Sequence, residues 1–213
     1  MEQIDGIMLE AEKPKLLITA TPKASNDYKV YIRDDIDSAD HFADLIELLH
    51  TAGEEDVFNL YFSTNGGMLD ATQELLAAMS VTQALIVGHL TNKAISAGSI
   101  IFLNCHEWQV YASSHMMIHQ MSYSTGGGNQ NVKGQVDFYS RMNENLVRDN
   151  YTGFLTEEEI QSVLHGKDVY LDAVEVAQRL TGYARMKRDK YEALVSRMSS
   201  ETEEVIVDGV KYS

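Results

Sequence analysis

The stretch "ALIVGHLTNKAISAGSIIFLNC" (residues 84–105) sets two serines among small neighbours, with an apolar run on either side. "ALIVGHL" (84–90) is apolar along most of its length and reads as a buried strand, while Ser96 to Leu103 reads as a short buried helix. Ser96, between Ile95 and the pair Ala97-Gly98, therefore lies where the chain turns from strand to helix. A hydroxyl there either bonds back to a helix carbonyl, caps the helix, or is presented as a nucleophile. The nonapeptide alone does not choose among them.

Working outward, strand and helix signals alternate. "YKVYI" (28–32) alternates as a strand does, and "SADHFADLIELLHTA" (38–52) spaces Phe42, Leu45, Ile46 and Leu49 as a helix behind a Ser38 cap. A strand "DVFNLYFST" then runs into Asn65-Gly66-Gly67, followed by a helix "MLDATQELLAAM" with Leu69, Leu75, Leu76 and Met79 available for one face. Downstream lie two strands, "EWQVYA" and "HMMIHQ", and a long helix from Gly134 to about Tyr151 carrying Val136, Tyr139, Met142, Leu146 and Val147. Two capped helices come next, "TEEEIQSVLHG" behind Thr156 and "DAVEVAQRLTG" behind Asp172. A charged helix "ARMKRDKYEALVSRM" and a hairpin signal at Asp208-Gly209 close the chain, and a hairpin this short needs a sheet edge to pair with. Strands alternating with helices predict an α/β fold with a mostly parallel sheet. The only two prolines, Pro14 and Pro22, mark an irregular N-terminal arm over 1–27, ahead of a main domain over 28–184 and a C-terminal extension over 185–213.

Composition narrows the function classes. The chain has 213 residues, 44% of them hydrophobic, which suffices for one substantial core. Seventeen basic against 32 acidic residues leave a formal charge of -15, which argues against nucleic acid or an anionic membrane as principal partner. The one cysteine, Cys105, sits in an apolar stretch as a small buried hydrophobe. No apolar run approaches the roughly 20 residues that span a bilayer, and "MEQIDGIMLEAEK" lacks the features of a signal peptide, so a cytoplasmic location is expected.

Acyl transfer by a serine needs a nucleophile, a base, a carboxylate that orients the base, and two backbone N–H groups for the oxyanion. Ser96 at a helix start, Gly66-Gly67 after a strand, His119 at the end of "HMMIHQ" and Asp168 in "HGKDVYLDA" are candidates for these parts. Six further histidines compete with His119, and spacing alone does not select among them.

Four segments resolve the choice by resemblance. "LYFSTNGGMLDATQELLAAM", "GHLTNKAISAGSIIFLNC", "SSHMMIHQ" and "GKDVYLDAVEVAQRL" are similar, in order and in separation, to landmarks of the Clp protease proteolytic subunit family, ClpP. That family carries Ser-Pro-Gly-Gly, Ala-Ser-Met-Gly, Met-Ile-His-Gln-Pro and an Asp before a "Phe-Leu-Ser-Ala" helix, and the similarity covers about residues 28–181. The resemblance implies Ser96 as nucleophile, His119 as general base and Asp168 as orienting carboxylate, with the N–H groups of Gly67 and Ala97 holding the oxyanion. It also implies substrate binding along Gly66, Met121, Ser122 and Tyr123, and a protruding handle helix at 134–151. The implied fold is a crotonase-like spiral of βαβ units. The implied assembly is a homo-oligomer of heptameric rings stacked as a tetradecamer, fed with unfolded proteins by a ring ATPase, with neither cofactor nor metal.

The chain departs from the family pattern at three places. Asn65 stands for the proline before Gly-Gly, Met121 for the proline after His-Gln, and Ala97 for methionine. The lost prolines predict looser backbone beside the oxyanion site and the substrate strand. The alternatives are a non-catalytic ring subunit or scaffold, a crotonase-type acyl-CoA enzyme, and a relative of the membrane-associated signal-peptide peptidases.

Overall fold

A computed structural model describes residues 16–21, 25–38, 40–202, 206–207 and 210–211. Its central sheet has seven strands: β1 (Leu16–Thr21), β2 (Asp27–Ile36), β3 (Val57–Gly67), β4 (Leu85–Ile95), β5 (Glu107–Val110), β6 (His115–Ile118) and β7 (Val169–Asp172). Six helices accompany them among the described residues: α1 (Ala43–Thr51), α2 (Leu69–Val81), α3 (Ala97–Leu103), α4 (Asn129–Tyr151), α5 (Glu157–Leu164) and α6 (Ala173–Thr202). This is a mixed α/β fold. β2, β3 and β4 run parallel, and β1 and β7 close the sheet as antiparallel edges.

β4 decides where the site lies. Its first half pairs with β5 (Val87 with Glu107 to Leu90 with Val110) and its second half with β6 (Lys93 with His115 to Ile95 with Met117). The fork coincides with a register shift against β3, in which Phe62 opposes Leu90 but Ser63 opposes Lys93. The extra residues are tied down: Thr91 Oγ1 donates to the Phe62 carbonyl at 2.9 Å and Asn92 Nδ2 to Ser63 Oγ at 3.0 Å. Such a bulge bends its strand and re-aims the residues beyond it.

The core lies between one sheet face and the helices. Val30, Ile32, Leu60, Phe62, Ile86 and Leu90 alternate into it from β2, β3 and β4, and every residue of α3 is buried. Phe62 and Phe102 meet edge to face at 5.3 Å, joining β3 to α3. Each such fully buried side chain contributes about 1.5–3 kcal/mol of transfer free energy. The other face carries a partly exposed ladder of Tyr31, Tyr61 and His89, with ring centroids 4.9 and 4.6 Å apart.

Several boundaries differ from the sequence reading. The arm contains β1, paired with β2 from Leu16–Ile32 to Thr21–Asp27, while residues 1–15 and 22–24 lie outside the described residues. α1 begins at Ala43 rather than behind Ser38, because the chain first turns, with His41 N–H donating to the Ser38 carbonyl at 3.3 Å, to bury Phe42. In α2 the inward face is built on Ala71, Thr72, Leu75, Ala78 and Met79, and Leu69 and Leu76 are only half-buried. α4 starts at Asn129, since the glycine run ends in the extended N-cap Gly128 and Gly134 sits on an open side of the helix. On α4 the buried positions are Asn143, Val147 and Tyr151, whereas Val136 is exposed.

The two C-terminal helices expected on either side of Gly182 are one helix, α6, which runs unbroken past residues 184 and 185. A glycine inside a helix costs only about 1 kcal/mol, and buried Leu180 and Tyr183 flank it. The Thr156 capping box on α5 forms as expected, and Asp172 Oδ1 caps α6 through the N–H groups of Val174 and Glu175, both at 2.9 Å. β8 (Ile206–Val207) and β9 (Val210–Lys211) pair antiparallel as a sheet of their own rather than with the main sheet, and residues 208 and 209 lie outside the described residues. Among the described residues no helix is long and apolar enough to cross a membrane.

Candidate active site

Ser96 joins β4 to α3 in a conformation that a side chain rarely takes, with φ 56° and ψ −122°. A sharp strand-to-helix turn of this kind lifts a hydroxyl clear of the sheet. Its own N–H donates to the Met117 carbonyl at 2.9 Å, so the turn is pinned to β6. The Ser96 carbonyl accepts Ser99 N–H at 2.9 Å and Ser99 Oγ–H at 2.6 Å. Since the single Ser99 hydrogen goes to that carbonyl, the Tyr151 hydroxyl is the donor in the 2.7 Å contact between Tyr151 Oη and Ser99 Oγ. Burial raises the Tyr151 phenol above its ordinary value despite the opposing bond to Ser99, which keeps it a donor.

His119 sits directly after β6, and its Nε2 lies 2.7 Å from Ser96 Oγ. With the ring proton on Nδ1, Nε2 accepts the serine hydrogen. Both residues are half-buried.

Gly66 and Gly67 end β3 at φ 84° and 146°, a region that L side chains rarely adopt. A Cβ on Gly66 would lie 2.4 Å from the Ile95 carbonyl oxygen and 2.8 Å from Ala97 N, and one on Gly67 would lie 2.1 Å from the Ile36 carbonyl oxygen. Bare backbone therefore passes directly beside the Ser96 turn. Thr64, fully buried, shapes this passage by accepting Gly66 N–H at 3.0 Å while donating to the Asp34 carbonyl. Asn65 is not loose. Its Nδ2 donates to Asp35 Oδ1 at 2.9 Å and its Oδ1 accepts from Lys93 Nζ, so the side chain bridges β2 and β4 where the expected proline is missing.

Ala97 is the first residue of α3, so its N–H has no acceptor within the helix. The small size of Gly98 has a reason that the sequence did not disclose: a Cβ there would meet Thr64 Cγ2 at 2.5 Å. It makes room for β3 rather than for a ligand.

These residues line one cavity of about 810 Å³. Gly66, Gly67, Ser96, Ala97 and His119 line it together with Met121, Ser122 and Tyr123. Met68, Ile100, Met117, Met142 and Leu146 make much of the remaining wall apolar. Asp168 is not among the lining residues. It is exposed, and its Oδ2 accepts the Tyr170 hydroxyl at 3.3 Å, with no hydrogen bond to His119. Sequence reasoning missed Ser99, Tyr151, Thr64 and Asn143; Ser99 and Thr64 lay inside segments singled out for chemistry, but none of the four carries a local signal of long-range bonding. Among the described residues no group of histidine, cysteine or carboxylate side chains could hold a metal ion.

A family model described as Clp protease matches residues 17–179 of the chain. No curated protein matches it. The match covers most of the sequence, from β1 into α6, and the chain belongs to the Clp protease family, whose members are peptidases.

Proposed function

We propose that this Clp protease family chain is a serine endopeptidase that cleaves unfolded protein segments. The observation that carries the reading is the 2.7 Å approach of Ser96 Oγ to His119 Nε2 at a strained strand-to-helix turn. His119 takes the Ser96 proton as Oγ attacks the peptide carbonyl. The oxyanion is held by the N–H groups of Gly67 and Ala97, which lie beside the nucleophile in the same cavity. His119 then gives its proton to the leaving amine, and water, activated by the same imidazole, hydrolyses the acyl-enzyme. Asp168 completes the triad by turning to accept a hydrogen bond from His119 Nδ1–H.

The apolar wall around Met68, Ile100 and Met142 suits an apolar side chain at the residue whose carbonyl is attacked. An extended substrate lies along Met121, Ser122 and Tyr123, adding its backbone as a strand. Subunits assemble into stacked heptameric rings around a closed chamber that a ring ATPase feeds, α4 projecting as the handle helix between rings.

The test is labelling of the purified protein by a fluorophosphonate probe beside Ser96→Ala, with native mass measured on the same sample. The reading expects labelling at Ser96 that the variant loses, in a high-mass assembly. No labelling in an intact high-mass assembly favours a non-catalytic ring subunit, a reading that draws its support from the Tyr170 bond that holds Asp168.

A further inference from the structure

The segment after His119 pairs with no strand among the described residues: Gln120 to Gly126 is free of secondary structure, and Ser122, Tyr123 and Ser124 are exposed. A mobile edge would be a poor template for a substrate strand, because each binding event would have to order it. Two contacts from α4 hold it. Met121 N–H donates to Asn143 Oδ1 at 3.0 Å, and the Tyr123 ring packs on Tyr139 at 4.8 Å. Asn143 is 8% exposed, one of few buried polar side chains, and it faces the segment from the middle of a helix that is otherwise largely exposed. Only its carbonyl oxygen can accept from Met121 N–H, so the orientation of the amide is determined. A proline at 121, the residue that the family pattern carries there, has no N–H to offer. At this position a hydrogen bond from α4 takes over the restraint that a proline ring supplies.

We infer that Asn143 is a positioning residue that fixes the edge Met121–Ser124 for extended substrates through its bond to Met121 N–H. The inference rests on the peptidase reading of the Ser96 cavity, and it concerns how long substrates bind there. Asn143 acts on the edge and not on the hydroxyl, so its loss separates KM from chemistry.

The experiment compares Asn143→Ala, Asn143→Asp, Met121→Pro and Asn143→Ala/Met121→Pro, using a long and a minimal chromogenic peptide together with fluorophosphonate labelling. Asn143→Ala is expected to raise KM for the long peptide about five- to ten-fold, with kcat and the labelling rate at Ser96 moving less than about two-fold. Asn143→Asp keeps an acceptor and restores most of the long-peptide KM. In the Met121→Pro background, where no donor exists, Asn143→Ala adds no further loss. Equal losses on both peptides and on labelling, or a full Asn143→Ala loss in the Met121→Pro background, would overturn the inference. If Asn143→Ala does not fold, Met121→Pro/Asn143→Asp decides against Met121→Pro: with no donor at 121, the Asn143→Asp change must leave the long-peptide KM unmoved, and a shift there overturns the inference. Parent protein that labels at Ser96 but shows no KM change in Asn143→Ala refutes the inference alone, while parent protein that does not label refutes the peptidase reading beneath it.

Discussion

His119 and Asp168 each lie one residue beyond the last pair of the β6–β7 ladder and share no hydrogen bond. The last antiparallel pair is Ile118 with Val169, so one further step of the same register brings His119 level with Asp168. The Asp168 carboxylate is instead engaged by the Tyr170 hydroxyl at 3.3 Å, on the exposed side of β7. The serine and histidine are thus assembled within a single chain, while the carboxylate is near in register and differently partnered.

Asp168→Asn is expected to lower kcat by about 10²- to 10⁴-fold through loss of the oriented imidazole. Because Asp168 is exposed, melting temperature and KM should stay close to those of the parent. Tyr170→Phe removes the competing donor and should raise kcat by no more than about three-fold, as the bond is long and solvated. Steady-state kinetics decides, and full turnover in Asp168→Asn removes Asp168 from the mechanism.

Gly98→Ala should destabilise the fold by about 1–3 kcal/mol, because the new methyl overpacks a core that cannot yield freely. The atom that it strikes is Thr64 Cγ2, at 2.5 Å. Thr64→Ser deletes that methyl yet keeps the hydroxyl bonded to Asp34 and Gly66, so in the double variant the loss should be largely recovered. Urea midpoints for the four proteins measure the coupling; additive losses would mean that the strain lies elsewhere.

Glu159 joins the α5 cap to α6. Its carboxylate accepts both Arg179 guanidinium nitrogens at 2.7 and 2.8 Å and the Thr156 N–H at 2.9 Å, and these bonds, the Arg179 pair foremost, hold it down to about 2. A carboxyl depressed on folding stabilises above its unfolded value, near 4.5, and loses that contribution as pH falls toward 2. Glu159→Gln should therefore cost about 1–2 kcal/mol at pH 7, with partial exposure limiting the figure, and the gap to the parent should narrow between about pH 4.5 and 2. A gap that is constant with pH in chemical denaturation would mean that charge is not the cause.

His106 makes a second pH dependence, in a milder range. Its Nδ1 accepts Ile86 N–H at 3.0 Å at the head of β4, which requires an unprotonated nitrogen, and burial, then Lys187, pulls the imidazole below 6.5. A histidine depressed on folding contributes stability that is present above 6.5 and declines as pH drops through that value. His89, also lowered by burial, adds a loss of the same sign. His106→Gln should be less stable than the parent at pH 7.5 and should lose less between pH 7.5 and 5.5. Equal slopes in urea titrations at the two pH values would contradict this.

The alternation of strands and helices and the capping boxes at Thr156 and Asp172 were legible in the sequence, because they depend on periodicity and on contacts a few residues apart. So was the approximate neighbourhood of Ser96, Gly66 and Gly67, where small residues mark close backbone passage. His119, by contrast, stands out from seven histidines only by resemblance. Helix continuity through Gly182, the late start of α1 and the early start of α4 were not legible, since each depends on which neighbours are buried at a distance.

By itself the amino-acid sequence determined the α/β class and the order in which the site residues enter the chain, since hydrophobic period and glycine placement act locally. Only the tertiary structure decided that Ser96 and His119 touch, because a fork in β4 brings β6 alongside the nucleophile turn. It alone also assigned Gly98 to Thr64, joined Asn143 to Met121 and left Asp168 with Tyr170. Each of these contacts joins groups set side by side by strand register and helix packing, apart from the adjacent pair at Asp168. Pairwise geometry of this kind is a property of the packed chain as a whole.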